Sequence, residues 1–305
     1  MLHDARDQRL DAGSPRAPRG GDRNPSRERD KPPGPPALKP IAISSALLVT
    51  VALVALAVGR YNVTVWHVVQ VLAGQVLPIP AEATDAEQNV VLLVRLPRVL
   101  LALLVGGGLA IGGAALQAIF HNPLVSPDII GVSAGSSFGG ALALLLGLGT
   151  FALITSSFAF GLVALAALFL ITSGRGGTPL LMIVLGGVVT GSFFSALVAL
   201  VTYIADPNTT MPAIVFWLLG SVATATFTKV AVALIPVAAG VLVLVALRWR
   251  INVLSLGDED ATSLGIRPRP LRWVVLMSVA LIVAGAVAVS GVVSWVGLVV
   301  PHLAR

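Results

Sequence analysis

Residues 99–119 read VLLALLVGGGLAIGGAALQAI and contain no charged side chain. A helix needs roughly 20 predominantly apolar residues to cross the hydrocarbon core of a bilayer, so this stretch predicts a transmembrane helix. The last apolar run of the chain has 28 residues, and Gly291 and Pro301 predict that one helix ends near Ser290 and another, broken helix begins. The remaining apolar runs occupy residues 41–59, 129–149, 151–172, 180–205 and 230–247. We predict an all-α, polytopic transmembrane helix bundle with seven spans and the start of an eighth.

The composition supports a membrane protein. The 305 residues are 56% hydrophobic and 11% charged, with a mean hydropathy of +0.93. Soluble domains carry about 25% charged residues, so these polar groups cannot cover a globule in water. Residues 1–40 hold nine of the twenty basic residues and six of the fourteen acidic ones. We expect a disordered tail over residues 1–40 and one membrane domain over residues 41–305.

Several chemistries are disfavoured by what the sequence lacks. It contains no cysteine, and its four histidines (His3, His67, His121 and His302) lie far apart, so we predict no metal site and no cofactor. No basic stripe is interleaved with aromatic residues, which argues against nucleic acid as a partner despite the net charge of +6.

The arginines predict the orientation in the membrane. Arg175 and the arginines of residues 248–272 fall on one side if the spans alternate, together with the basic N-terminal tail. Cytoplasmic loops carry an excess of Lys and Arg, so we expect the N-terminus in the cytoplasm. The predicted location is the bacterial cytoplasmic (inner) membrane.

Arg95 and Arg98 precede the second span on the opposite, extracytoplasmic side. Three residues apart, they share one face if the segment is helical. They either extend to lipid phosphates or form a socket for acidic residues of an extracytoplasmic partner.

Residues 121–139 are the most distinctive segment. Ser126, Pro127 and Asp128 predict a helix start, because a hydroxyl, a proline and an acid suit the cap and the first turn. Ser133, and Ser136 with Ser137, either line a polar path or bond to backbone carbonyls.

Residues 256–266, LGDEDATSLGI, predict one short helix in a long cytoplasmic loop. Asp258 suits its cap and Gly265 its left-handed end, while Ala261 and Leu264 form a small apolar face that suits a partner protein. No lysine lies in a G-x-x-x-x-G-K-[ST] loop. If nucleotide drives this protein, another chain binds it.

Together these segments resemble the permease family of iron-siderophore, haem and vitamin B12 ABC importers. The matching segments follow the family's order over about residues 41–305: residues 95–98 (RLPR), 112–117 (GGAALQ), 122–124 (NPL), 126–135, 217–221 (WLLGS), 256–265, and 296–302 (VGLVVPH) with Arg305. The resemblance implies two ten-helix permeases around a central pathway, either identical or different, two cytoplasmic ATPases and an extracytoplasmic binding protein. The permease itself is then not an enzyme.

The resemblance also assigns roles to residues. Arg95 and Arg98 would receive acidic residues of the binding protein. A coupling helix docked on the ATPase would comprise Gly257, Asp258, Glu259, Ala261, Leu264 and Gly265. The translocation path and gate would involve Asn122, Pro123, Ser133 and Gly135, with Gly177, Thr178 and Pro179.

The cargo implied by the family is an iron chelate, such as a siderophore or haem, or cobalamin. A molybdate- or tungstate-type oxyanion is one alternative. An ion-gradient-driven secondary transporter is another, although such proteins usually place ionisable residues inside their spans. A membrane scaffold would need neither the short helix nor the arginine pair. The family continues beyond the position of Arg305 for several tens of residues, so we expect about eight of its ten spans and a C-terminally incomplete domain.

Overall fold

A computed structural model describes residues 38–77, 82–173 and 180–304, and the regular structure within these ranges is helical. The chain divides into two units, residues 1–50 and 51–305. In the first unit the described structure begins with α1, whose residues from Lys39 to Thr50 are exposed. The predicted tail before residue 38 and the predicted gate at Gly177, Thr178 and Pro179 lie outside the described residues. The helices are α1 (Leu38–Ala57), α2 (Val65–Gly74), α3 (Asp85–Asn89), a π-helical turn (Val90–Arg95), α4 (Leu96–Ile119), a 3-10 turn (Pro127–Ile130), α5 (Val132–Leu145), α6 (Thr150–Ser173), α7 (Leu180–Ile204), α8 (Thr210–Leu218), α9 (Phe227–Ala246), α10 (Arg248–Leu254), α11 (Asp258–Ser263), α12 (Pro268–Ser290) and α13 (Val296–Leu303).

Six helices of the described residues are long and apolar enough to cross a membrane. They are Lys39–Ala57, Asp85–Ile119, Thr150–Ser173, Leu180–Ile204, Phe227–Ala246 and Pro268–Ser290. Each coincides with a predicted apolar run, so the all-α membrane fold is confirmed.

The third predicted span, residues 129–149, is shorter than expected. Helix α5 has 14 residues, and Gly131 before it and Gly147 after it both have positive φ, at +75° and +64°. Residues in the left-handed region interrupt an α-helix, so the uncharged run does not become one long helix. The helix start predicted at Pro127 is present as a 3-10 turn, but the Ser126 side chain makes no capping hydrogen bond.

The predicted break near Ser290 is confirmed. Helix α12 ends there, Gly291 adopts a φ of +70°, and α13 begins at Val296. Pro301 lies inside α13 rather than interrupting it.

Helix α12 lies at the centre of the second unit. It packs against α4, α5, α6 and α9, and 78% of its span is buried, against 22–44% for the other long helices after α1. The outer helices carry exposed apolar side chains such as Phe151, Leu170 and Ile235. An apolar surface of this kind suits hydrocarbon rather than water.

Glycines allow the closest helix contacts, as their four-residue spacing predicts. A Cβ atom at Gly135 of α5 would lie 2.6 Å from the carbonyl oxygen of Phe160 and 2.5 Å from the Cβ of Ala164 in α6. Gly135 is therefore a packing position between these two helices.

Candidate functional site

Arg95 ends the π-helical turn and reaches the end of another helix. Its guanidinium donates hydrogen bonds to the carbonyl oxygens of Leu56 (2.6 Å) and Ala57 (2.7 Å), and to that of Tyr61. The residue is only 7% exposed. The last carbonyls of a helix lack partners within the helix and attract positive charge, so Arg95 closes the C-terminus of α1.

The environment of Arg98 differs from that of Arg95. It is exposed and lines a cavity of about 460 Å³ together with Arg60 and Arg95. No acidic side chain lines this cavity in the described structure. The prediction that both arginines contact a binding protein stays a prediction, but their surroundings differ, because the guanidinium of Arg95 is already bound by backbone carbonyls. We call this region, with Arg60, Arg95 and Arg98, the arginine cavity.

A second buried arginine lies at the start of α12. Arg272 is 5% exposed and binds both carboxylate oxygens of Asp258, with Nη1 2.9 Å from Oδ2 and Nη2 bonded to Oδ1. This bidentate geometry is the strong form of an arginine–carboxylate pair. Asp258 begins α11, so the pair fastens α11 to α12.

The short helix predicted within residues 256–266 is present as α11, flanked by Gly257 (φ +134°) and by Gly265, whose φ of +77° confirms the left-handed end. Two details differ from expectation. Asp258 pairs with Arg272 instead of capping the helix. Ala261 is fully buried whereas Leu264 is 57% exposed, so they do not form one apolar face. Ala261 packs into the main hydrophobic core, which leaves Glu259, Asp260 and Leu264 available on the surface. We call α11 the acidic helix.

The arginine cavity and the acidic helix lie at opposite ends of α4. This helix has 24 residues, from Leu96 to Ile119, and is about 36 Å long at 1.5 Å per residue. Beyond its C-terminus, His121 Nε2 lies 3.0 Å from the carbonyl oxygen of Leu254 at the end of α10. The first end of α4 therefore carries Arg98, and the second contacts the segment that leads to the acidic helix.

The residues predicted for the translocation path have unlike surroundings. Asn122 and Pro123 are exposed in the loop before α5, where Asn122 Oδ1 accepts a hydrogen bond from the Leu124 N–H at 2.9 Å. Ser133 is buried and lines a small cavity with Asp128 and Trp295. Gly135 packs against α6. These contacts support local structural roles, and the path remains a prediction.

The sequence interpretation missed two polar pairs. His67 of α2 lies 3.1 Å from Glu87 of α3, and the Glu87 side chain also bonds to the N–H of Thr84 in a capping box. The T-x-x-E spacing of residues 84–87 was the available signal. For the Asp258–Arg272 pair, the signal was an arginine beside a long apolar run. Within the described ranges, no group of three or more His, Cys, Asp or Glu side chains is placed to hold a metal ion.

The pattern of the FecCD transport family matches residues 47–305. The chain belongs to the FecCD transport family. This match agrees with the resemblance drawn from the sequence motifs, and it includes both the arginine cavity and the acidic helix.

Named relatives and a solved structure support this membership. The molybdate import system permease protein MolB of Haemophilus influenzae is 44% identical over 259 residues, covering 85% of this chain and 76% of MolB. The Helicobacter pylori (strain 26695) protein named "Probable iron chelatin transport system permease protein" is 42% identical over 217 residues, covering 71% of this chain and 65% of that protein. A solved structure described as an inward-facing metal-chelate type ABC transporter has a TM-score of 0.75 and 43% identity, covering 86% of this chain and 79% of its own.

The FecCD-family fold thus accounts for the helical membrane architecture. The chain spans 76% of the length of MolB and 65% of the Helicobacter protein. Both relatives carry the name of a permease, which is a transport component rather than a catalyst.

Proposed function

We propose that this chain is the membrane-spanning permease subunit of an ATP-binding-cassette importer. The FecCD match over residues 47–305 carries the proposal. The acidic helix adds a structural reason, because it is fixed to α12 and presents charged and apolar side chains outward. Family membership also disfavours the ion-gradient-driven transporter.

In this function two permeases, identical or different, enclose a pathway, and a separate ATPase docks on each acidic helix. The Asp258–Arg272 pair would pass a displacement of the acidic helix directly into α12. Because α12 packs against four other helices, its movement would also displace them. Nucleotide shifts the conformational equilibrium only if the ATPase binds one arrangement of this end more tightly than the other.

The arginine cavity would receive the extracytoplasmic binding protein. Its lining includes three arginines and no acid in the described structure, so it favours an acidic side chain of a partner. Arg98 would be the contact residue, and Arg95 would position the end of α1 beside it. This orientation puts the N-terminus and the acidic helix on the cytoplasmic side of the inner membrane, with residues 41–305 as the permease domain.

For the cargo we propose a molybdate-type oxyanion first and an iron chelate, such as a siderophore or haem, or cobalamin second. MolB combines 44% identity with coverage of 85% of this chain, whereas the iron chelatin protein combines 42% with 71%. Of these two relatives, MolB has both the higher identity and the longer alignment, which supports placing the oxyanion first.

A transport assay tests the function and separates the cargoes. The full chain is co-expressed with the ATPase and binding protein encoded beside it and reconstituted in liposomes. We expect ATP-dependent uptake of labelled molybdate that unlabelled ferric siderophore does not compete. Competition by the ferric siderophore would make the iron chelate, rather than the oxyanion, the preferred cargo. Uptake that persists without the ATPase would overturn the importer assignment.

The contact at each end is tested separately. Arg98→Glu should weaken affinity for the binding protein at least about tenfold, because it places like charges together at the contact. Arg269→Glu, a charge reversal at an exposed position in the first turn of α12 at the other end of the bundle, is the matched control. At the acidic helix, Leu264→Asp should abolish co-purification of the ATPase without changing the fold, since Leu264 is already exposed. Unchanged binding in either variant would remove that contact from the proposal.

A further inference from the structure

A pocket of about 480 Å³ lies beside the acidic helix, where α9 ends and α12 begins. Its volume falls in the range of roughly 300–1,000 Å³ that is usual for ligand sites. The residues that matter for its chemistry are Trp249, Arg250, Leu264, Arg267, Leu271 and Val274.

The charge in this pocket is positive and unbalanced. Arg250 and Arg267 both line it, and no acidic residue of the described ranges does. Arg248, at the start of α10, and Arg269, in the first turn of α12, are also exposed in this region. Among the described residues none of these four arginines forms a salt bridge, whereas neighbouring Arg272 pairs with Asp258 through Nη1 and Nη2. The positive charge of the pocket is therefore not balanced by an acidic side chain of the described residues.

The floor of the pocket is apolar and leads to the outer surface of the bundle. Leu271 is buried beneath it, and Val274, one turn further along α12, is exposed. Met277, on the next turn of α12, is exposed as well. Trp249, 62% exposed, stands at the rim. Tryptophan is enriched at the level of lipid headgroups, where one side of its ring is apolar and the N–H meets water.

We propose that this pocket binds an anionic phospholipid, with Arg250 and Arg267 holding the phosphate and the apolar floor receiving the start of an acyl chain. The planar guanidinium fork matches phosphate geometry. Basic pockets at the cytoplasmic ends of transmembrane helices are a known form of headgroup recognition.

A water-soluble protein fits the pocket less well. Its floor continues towards side chains on the lipid-facing surface of α12, which a soluble partner cannot reach through the bilayer. We assign the acidic helix as the docking site of the ATPase, and its charge is negative whereas that of the pocket is positive.

Occupancy of the pocket would act on the acidic helix. Leu264 and Gly265 form the end of that segment and also line the pocket. A lipid held between them and α12 would favour one position of the acidic helix. The inference thus adds a dependence on lipid composition to the proposed importer, while lipid binding itself can be measured on the permease alone.

The test compares two double variants of the full chain in detergent by native mass spectrometry. Wild type is titrated with phosphatidylglycerol and with phosphatidylcholine, and we expect it to bind phosphatidylglycerol more tightly. Arg250→Ala with Arg267→Ala should weaken phosphatidylglycerol binding roughly 25-fold, from about a fivefold loss for each arginine. Arg248→Ala with Arg269→Ala removes the same charge from the same region outside the pocket and should weaken it less than about threefold. All four side chains are exposed, so both variants should remain folded.

Three results would overturn the proposal. Equal losses in the two double variants would mean diffuse attraction to the basic loop rather than a site. Complete displacement of the lipid by millimolar inorganic phosphate would mean a free oxyanion site. Unchanged lipid binding in the Arg250/Arg267 variant, combined with loss of ATPase co-purification, would mean a protein contact.

Discussion

Both ends of the helix bundle bury an arginine, but they stabilise its charge differently. Arg95 is bound by backbone carbonyls at the end of α1, and its partners Leu56 and Ala57 lie 39 and 38 residues earlier. Arg272 is bound by the Asp258 carboxylate, which lies 14 residues earlier and whose side chain is 53% exposed. Carbonyls of a helix end move only with the helix, whereas a carboxylate at the surface can be approached by another protein. The first end is therefore built as a fixed joint and the second as one that a partner can influence.

The largest stability effect is expected at the fixed joint. Arg95→Met keeps the apolar stem but removes all three hydrogen bonds, leaving carbonyls without partners, and should lower the free energy of unfolding by about 3 kcal/mol or more. Thermal unfolding of the full chain in detergent measures this loss. Arg98→Met is the matched control, because an exposed side chain should change stability by less than about 0.5 kcal/mol. Similar losses in both variants would contradict the distinction between the two arginines.

Breaking the Asp258–Arg272 pair should lower the free energy of unfolding by less, and a second substitution should restore part of that loss. Asp258→Asn leaves Arg272 buried without its counter-ion, at a cost of about 2 kcal/mol, less than for a fully buried pair because Asp258 is half exposed. The double variant with Arg272→Met should be more stable than the sum of the single losses predicts. A double-mutant cycle on thermal unfolding provides the measurement. Strictly additive losses would show that the pair does not couple α11 to α12.

The Asp258→Asn variant should also separate a loss of stability from a loss of coupling between ATP hydrolysis and transport. We expect Asp258→Asn to reduce the ATP-driven transport rate more than its modest loss of stability explains, because α11 would no longer move α12 directly. Arg95→Met, compared at a temperature where both variants are folded, should retain the ratio of transport to ATP hydrolysis. If that ratio falls equally in both variants, the two ends do not differ in the way described above.

The smallest effect is expected at the contact between the α4–α5 loop and α10. His121→Ala removes the hydrogen bond to the Leu254 carbonyl and should lower the unfolding free energy by about 1 kcal/mol. Hydrogen exchange of α10 measures the local effect, and we expect faster exchange there with little change in α2. Faster exchange throughout the chain would indicate that this contact stabilises more than its own end.

The long helices could be predicted from sequence because a span of about 20 uncharged apolar residues has few alternatives in a membrane. Shorter elements could not. Helices α8 and α10 have 9 and 7 residues, too few to produce a distinct span signal, and α2 escaped notice among polar neighbours. The length of α5 depended on the backbone conformation at Gly131, which composition does not determine.

The roles of charged residues were harder to predict than the helices. The sequence placed Arg95 next to a span, but not beside the end of α1, because that contact bridges residues far apart in the chain. Ala261 and Leu264 have the spacing of one helix face, yet tertiary packing buries one and exposes the other. The left-handed Gly265 was predictable, since its requirement for positive φ is local.

The burial of α12 on nearly all sides has a practical consequence for spectroscopy. Because the chain contains no cysteine, a single introduced thiol can carry a fluorophore or spin label at a chosen site. Labels on the outer helices would report mainly on the surrounding hydrocarbon. A label at Val274, an exposed position near the start of α12, would instead follow displacements of the innermost helix during a transport cycle.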